Sequence, residues 1–208
     1  MKANFEDWDF LDNGKPYTYF IHYVGTNCNK PVTIGTRRLR QEIWDFKKGK
    51  NQQWIRQAMA LTIEDTFDHP EELTLVCLPA SNAFNHRLRF ERFSNDLCQA
   101  LGMTNGFDHL QIIKGHTPTH EGGDLHDGYW HYDGEFFKGK QVLFFDDVIT
   151  QGRHMKHFGD ALEKLGATVV GGIFIGHTVM YSHAGPDLVH PLTEEPVFEN
   201  HQHNFRVV

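Results

Sequence analysis

The sequence predicts an α/β fold built on a parallel sheet. Three short apolar runs predict it: residues 73–78 (LTLVCL), 141–145 (QVLFF) and 168–175 (TVVGGIFI). Continuous apolar runs of this length read as strands buried on both faces. Helical stretches lie among them. Residues 85–101 carry Phe93, Leu97 and Leu101 on one stripe, with Gly102 behind them as a cap, and residues 154–165 are closed by Gly166. Strands that alternate with helices imply a parallel sheet covered on both faces.

The other elements follow in order. Residues 17–24 (YTYFIHYV) form a dense aromatic and β-branched run, a strand. Residues 36–46 and 51–67 read as two helices separated by Lys47-Lys48-Gly49-Lys50. In the second, Trp54, Ala58, Leu61 and Asp65 share a face, with Ile55, Met59 and Ile63 beside it, and His69-Pro70 ends it. Residues 110–113 form a short strand. Residues 114–140 have little periodicity and many Gly, His and Asp, and read as a long functional loop containing a small hairpin. After Ser182 the chain reads as irregular. The expected division is an N-terminal elaboration at 1–70, serving as a hood or a partner-binding part, a core at 71–182 and a tail at 183–208.

Composition narrows the function classes. With 208 residues, 39% apolar and 23% charged, the chain is one domain with an elaboration, and neither disorder nor a coiled coil is favoured. No apolar run approaches the roughly 18 residues of a membrane span. The opening MKANFEDWDF has acids and aromatics where a secretory leader would be basic and then apolar. Cys28, Cys77 and Cys98 are odd in number and lack CxxC spacing, which disfavours a disulfide framework and fits a reduced cytoplasm. A net charge of −7 argues against wholesale coating of nucleic acid.

The chemistry-bearing stretch is 142–154, VLFFDDVITQGRH. Two acids sit at the carboxyl end of a strand, where ligands of open parallel sheets bind. A turn with Thr150 and Gly152 then leads into a helix. Its consecutive N–H groups form a ready anion site, and Gly152 permits close approach or positive φ. Acids repel phosphate but suit hydroxyls, or a metal shared with the substrate. A sugar phosphate satisfies the whole constellation, with hydroxyls at Asp146 and Asp147 and phosphate at 148–153. A strand end with two solvated acids is the simpler alternative. No GxxxxGK[ST] motif occurs.

VLFFDDVITQG closely resembles the signature of type I phosphoribosyltransferases, which bind phosphoribosyl pyrophosphate (PRPP). The resemblance extends more weakly over residues 73–178 in strand–loop–helix order. The stretch 77–101, where arginines lead into a helix, looks like the ComF-like branch. Residues 1–70 show no such resemblance. The resemblance implies a type I phosphoribosyltransferase-like parallel sheet with flanking helices, and a cytoplasmic pentosyltransferase. That enzyme would use PRPP and Mg²⁺ to ribosylate a base or another nitrogen nucleophile. Asp146 and Asp147 would be the catalytic acids, on the ribose hydroxyls and indirectly on Mg²⁺. Val148, Ile149, Thr150, Gln151, Gly152, Arg153 and His154 would wrap the 5′-phosphate. Ala80, Ser81 and Asn82 would form the pyrophosphate loop, and Arg87, Arg89 and Lys114 would contact pyrophosphate or the acceptor. A homodimer is left open. The chain departs from the family pattern at Arg153 and His154, where many members have a phosphate-binding threonine, at Gln151, which replaces a smaller residue, and at Lys114, where the branch often has arginine.

Each piece has a plainer reading. Ser81 or Asn82 could cap the following helix. Arg87, Arg89 and Arg92 could be a solvated face. His116, His120, His126 and His131 with Asp124 could hold a metal, although their spacings match no firm zinc pattern. Arg37, Arg38, Arg40, Lys47, Lys48 and Lys50, with Trp44 among them, could bind nucleic acid, although a solvated helix face fits the acidic whole better. Two further functions stand beside transfer: non-catalytic sensing of PRPP or a nucleotide on the same fold, and association with nucleic acid.

Overall fold

At the centre of the protein, in a computed structural model describing residues 1–26, 32–50, 52–114 and 129–179, the two long apolar runs pair side by side. These are strands β7 (Gln141–Ile149) and β8 (Thr168–Thr178), parallel and paired from Gln141 opposite Thr168 to Ile149 opposite His177, with a register shift between Val142 and Leu143. Strand β3 (Leu73–Cys77) lies against the other side of β7, also parallel, with Cys77 opposite Phe145. Every residue of β3 is buried, as its unbroken apolar pattern requires. Strand β4 (Thr104–Asn105) adds to β3, while β2 (Pro16–Tyr23) adds to β8, both parallel, and β1 (Asp9–Phe10) folds back antiparallel on β2. The sheet thus runs β1-β2-β8-β7-β3-β4 and is mostly parallel.

Helices flank it on both faces. On one face lie α1 (Ile34–Lys47), α2 (Gln52–Thr66) and α3 (Ala83–Leu101), and Phe46, Phe90 and Phe93 gather there around Phe145 of β7. The Phe93 and Phe145 rings stack at 4.6 Å, and Phe46 meets Phe145 edge-on at 5.6 Å. Such pairs add about 0.5–1.5 kcal/mol each beyond area burial. The other face is covered by α5 (Arg153–Lys164), which buries Met155, Phe158 and Leu162. A small hairpin of β5 (Leu110–Lys114) and β6 (Tyr129–Tyr132), followed by the one-turn α4 (Gly134–Phe137), lies on that same side. No described helix is long and apolar enough to cross a membrane.

Residues 1–70 are woven into this sheet. Strand β2 pairs with β8 over six registered positions, and α1 and α2 share the α3-side core with Leu75 and Phe145. The strand expected at 110–113 exists but stays out of the main sheet, where the two-residue β4 takes the place beside β3. Only Leu110 of β5 is buried. The hairpin that is described pairs the strand expected at 110–113 with β6, so of its two strands only β6 lies wholly within 114–140, and residues 115–128 lie outside the described residues. The histidines at 116, 120 and 126, Asp124, Cys28 and the tail beyond 179 lie outside the described residues.

Candidate active site

Strand order reverses between β3 and β7. From β3 the chain crosses through α3 to β4 on one side, and from β7 it crosses through α5 to β8 on the other. The helices lie on opposite faces, so the carboxyl ends of β3 and β7 open a crevice, the place where doubly wound sheets bind ligands. Both carboxylates stand at this edge. They lie within β7, which continues to Ile149, and not after it as the sequence suggested. Val148 and Ile149 still pair with Gly176 and His177, so the turn proper is Thr150–Gly152.

Alternation along β7 sends the two acids to opposite faces. Asp147 points to the α1/α3 side and is almost wholly buried. Its Oδ1 lies 3.2 Å from Lys47 Nζ at the end of α1, and Arg89 Nη1 of α3 donates to its Oδ2 at 3.0 Å. The neighbouring Asp147 carboxylate raises the Lys47 ammonium above its ordinary range, against burial acting in the other direction. Asp146 points to the α5 side, with its Oδ1 accepting from the Asp147 backbone N–H at 2.7 Å and its Oδ2 3.9 Å from His154 Nδ1. Burial first, and then the Asp147 charge, push the Asp146 carboxyl up.

The turn after β7 is tied on both sides. Thr150 Oγ1 and Thr178 Oγ1 lie 3.0 Å apart. Gly152 takes φ 68° at the N-cap of α5, a conformation that favours glycine. The close approach there comes from within the chain: a Cβ at Gly152 would overlap the Leu11 side chain, in the turn between β1 and β2. Lys156 of α5 holds that same turn through Asp12 at 2.7 Å. Gln151 and Arg153 are exposed, and His154 is half-buried.

The loop after β3 is the second arm. Asn82 caps α3 by accepting from the Asn85 N–H at 2.8 Å, and Ser81 Oγ accepts from Asn85 Nδ2 at 3.3 Å. The Asn82 side-chain oxygen is therefore committed to the helix, the plainer of the two expectations. Behind the loop, His86 Nδ1 faces the Ala80 N–H at 3.5 Å while its ring stacks on Phe107 at 4.9 Å. Burial, with Arg89 adding to it, presses the His86 imidazole down to about 4, so it sits there neutral.

The expected cations part company. Arg87 is exposed and lies near Glu91, and Lys114 is exposed at the end of β5. Arg89 alone of these reaches the acids. Lys47 was legible only as part of a basic stretch, and that stretch divides on folding. Arg40 is buried, donating to the Val24 and Gly25 carbonyls at 2.6 and 2.5 Å, while Lys47 turns to Asp147. Helical spacing held the signal, since Lys47 lies one turn after Ile43 and beside Phe46, both buried in the core.

Both Asp147 oxygens already face cations, so that carboxylate does not fit direct ligation of a divalent ion. Among the described residues no group of three or more His, Cys, Asp or Glu side chains could hold a metal.

Fold and edge together define a doubly wound α/β protein with an acid pair and a glycine-started helix at its strand-order reversal. Against known proteins, no family model matches the chain, and a search of the curated proteins finds no match.

Proposed function

We propose that this protein is a phosphoribosyltransferase acting on PRPP, with a base or another nitrogen nucleophile as acceptor. One observation carries the reading: adjacent carboxylates stand near the carboxyl end of a central strand at the crevice, and the next turn starts a helix on a left-handed glycine. A sugar phosphate matches that order of groups. Asp146, whose Oδ2 meets His154 Nδ1 only at the longer distance of 3.9 Å, is the acceptor for ribose hydroxyls. The N–H groups at the start of α5, with Arg153, receive the 5′-phosphate at the positive end of the helix. Asp147 supports the pair electrostatically from its place between Lys47 and Arg89. As positive charge grows on the ribose ring, the carboxylates favour it. The sheet edge holds sugar and acceptor in line, and positioning supplies much of the rate. Any Mg²⁺ enters as part of the PRPP complex.

A second reading is favoured by a specific observation. Asp147 is fully engaged with two cations, so the chain can bind PRPP without turning it over. A screen of bases for PRPP-dependent pyrophosphate release separates the two. Release with one acceptor class is the expected result. Binding of PRPP without release under every base identifies a sensor, and absence of PRPP binding overturns both. The nucleic-acid reading loses two members of its basic patch, Arg40 and Lys47, to internal contacts.

A further inference from the structure

Helix α5 gives one stripe of its surface to a distant segment of the chain. Gly152, Lys156, Gly159 and Glu163 recur at the i, i+4, i+7, i+11 spacing that lines up along one side of a helix. Each meets the turn between β1 and β2. The Leu11 side chain lies over Gly152, at the start of the helix. One turn on, Lys156 Nζ donates to both carboxylate oxygens of Asp12, at 2.7 and 2.8 Å. The Lys15 stem then passes Gly159, and its Nζ donates to Glu163 Oε1. The turn is closed within itself as well. Leu11 N–H donates to the Lys15 carbonyl at 3.0 Å, and Gly14 N–H to the Leu11 carbonyl at 2.9 Å.

Ion pairs this exposed add little to stability, since Asp12 is 76% exposed and Glu163 36%. What they do fix is the place of the turn along the helix, and so the seat of Leu11 on Gly152. Thr178 ties the 150–152 turn from one side through Thr150, and the β1–β2 turn closes it from the other. From these contacts we propose that residues 11–15 are a brace that positions the 150–153 turn for an anion, with Leu11, Asp12 and Lys15 as its positioning residues. They act through Gly152 and α5, not on the anion. The brace holds the N–H groups in one array before the ligand arrives, so binding need not order them. The identity of the anion as the 5′-phosphate of PRPP rests on the phosphoribosyl reading. The brace rests on the contacts alone. It gives the N-terminal part, which lies outside the stretch that resembles a known family, a share in substrate binding.

Ribose 5-phosphate is the probe, titrated calorimetrically into the full chain, with amide hydrogen exchange over 150–153 measured without ligand. The double variant Leu11→Ala/Asp12→Asn should bind ribose 5-phosphate about fivefold more weakly or worse, and should exchange faster at 150–153 while the β3 amides stay as they were. Asp12→Asn alone, which removes only an exposed charge, should move both readouts in the same direction. Asp12→Glu keeps the charge and should retain most of the affinity. Asp160→Asn removes an exposed carboxylate of the same helix off the stripe and should alter neither readout. Were Asp12 only an anion near the site, Asp12→Asn would unmask Lys156 and tighten phosphate binding, so tighter binding overturns the brace. Unchanged affinity in the folded double variant, the result of a merely structural contact, overturns it too. If the wild-type chain binds no ribose 5-phosphate, the phosphoribosyl reading falls and exchange decides the brace: faster exchange at 150–153 in the double variant leaves it standing, and unchanged exchange overturns it.

Discussion

Asp146 is expected to weaken the fold that it equips. Its carboxyl titrates higher in the folded than in the unfolded chain, because burial and Asp147 both oppose its charge. The native state therefore holds that proton more tightly, and stability falls as pH rises through the carboxylate range. Asp146→Asn keeps an oxygen for the Asp147 N–H and removes the charge. The variant should melt higher than wild type at pH 7, with the gap closing on acidification, while its PRPP affinity falls about tenfold, roughly 1.4 kcal/mol, as a charge-assisted contact to a ribose hydroxyl is lost. Melting curves at several pH values together with calorimetry check both halves; a variant that melts lower at pH 7 refutes the electrostatic account. Gly152 gives the opposite case. Alanine there meets a positive φ and the Leu11 side chain at once. Gly152→Ala should lose about 1–3 kcal/mol of stability by urea unfolding, and Leu11→Ala in the same chain should recover part of it. The sequence made the glycine's positive φ legible. Its neighbour was not, because Leu11 lies far away in the chain and only the β1–β2 turn brings it there.

At the scale of elements, α3 carries most of what can be tested. Its cap was readable: Asn82 precedes the helix and Gly102, at φ 68°, follows it. Asn82→Ala should remove about 1 kcal/mol from the urea unfolding free energy. His86 sets a pH dependence of its own. Its folded value of about 4 lies below the ordinary 6.5, so the unfolded chain takes the proton first. That contribution is complete above about pH 6.5 and is lost progressively down to about pH 4, by up to about 3 kcal/mol. His86→Phe keeps the stack on Phe107 and cannot titrate. Urea midpoints at pH 7 and pH 5 should differ less in this variant than in wild type, and equal slopes would remove His86 as the source. The helices and buried strands were legible because each writes its own period. Sheet membership was not: Leu110 to Lys114 looked as strand-like as any segment, yet Thr104–Asn105 pairs with β3. That choice is made by the length of the crossover and the burial available, which no local pattern encodes.

Over the whole molecule, the sheet has no seam at residue 70. Removing β2 would expose the flank of β8, and removing α1 and α2 would uncover Phe46's neighbours Phe90, Phe93 and Phe145. A chain beginning at Glu71 should therefore fail to show a cooperative urea transition by circular dichroism; a sharp transition would make the N-terminal part an add-on. The acid pair and its turn were readable from thirteen consecutive residues. Lys47 was not, because it reaches Asp147 across a hundred positions of sequence through the packing of α1 on β7.

The contact between Leu11 and Gly152 also makes the protein its own reporter. Leu11 belongs to a tight reversal closed by its N–H to the Lys15 carbonyl, and three residues earlier the Trp8 indole lies buried over Gly171 of β8. Any shift of the turn ahead of α5 must push this lever. A fluorine label on the tryptophans, with the Trp8 resonance assigned by Trp8→Phe, would register anion arrival at the turn through a side chain that never touches the anion.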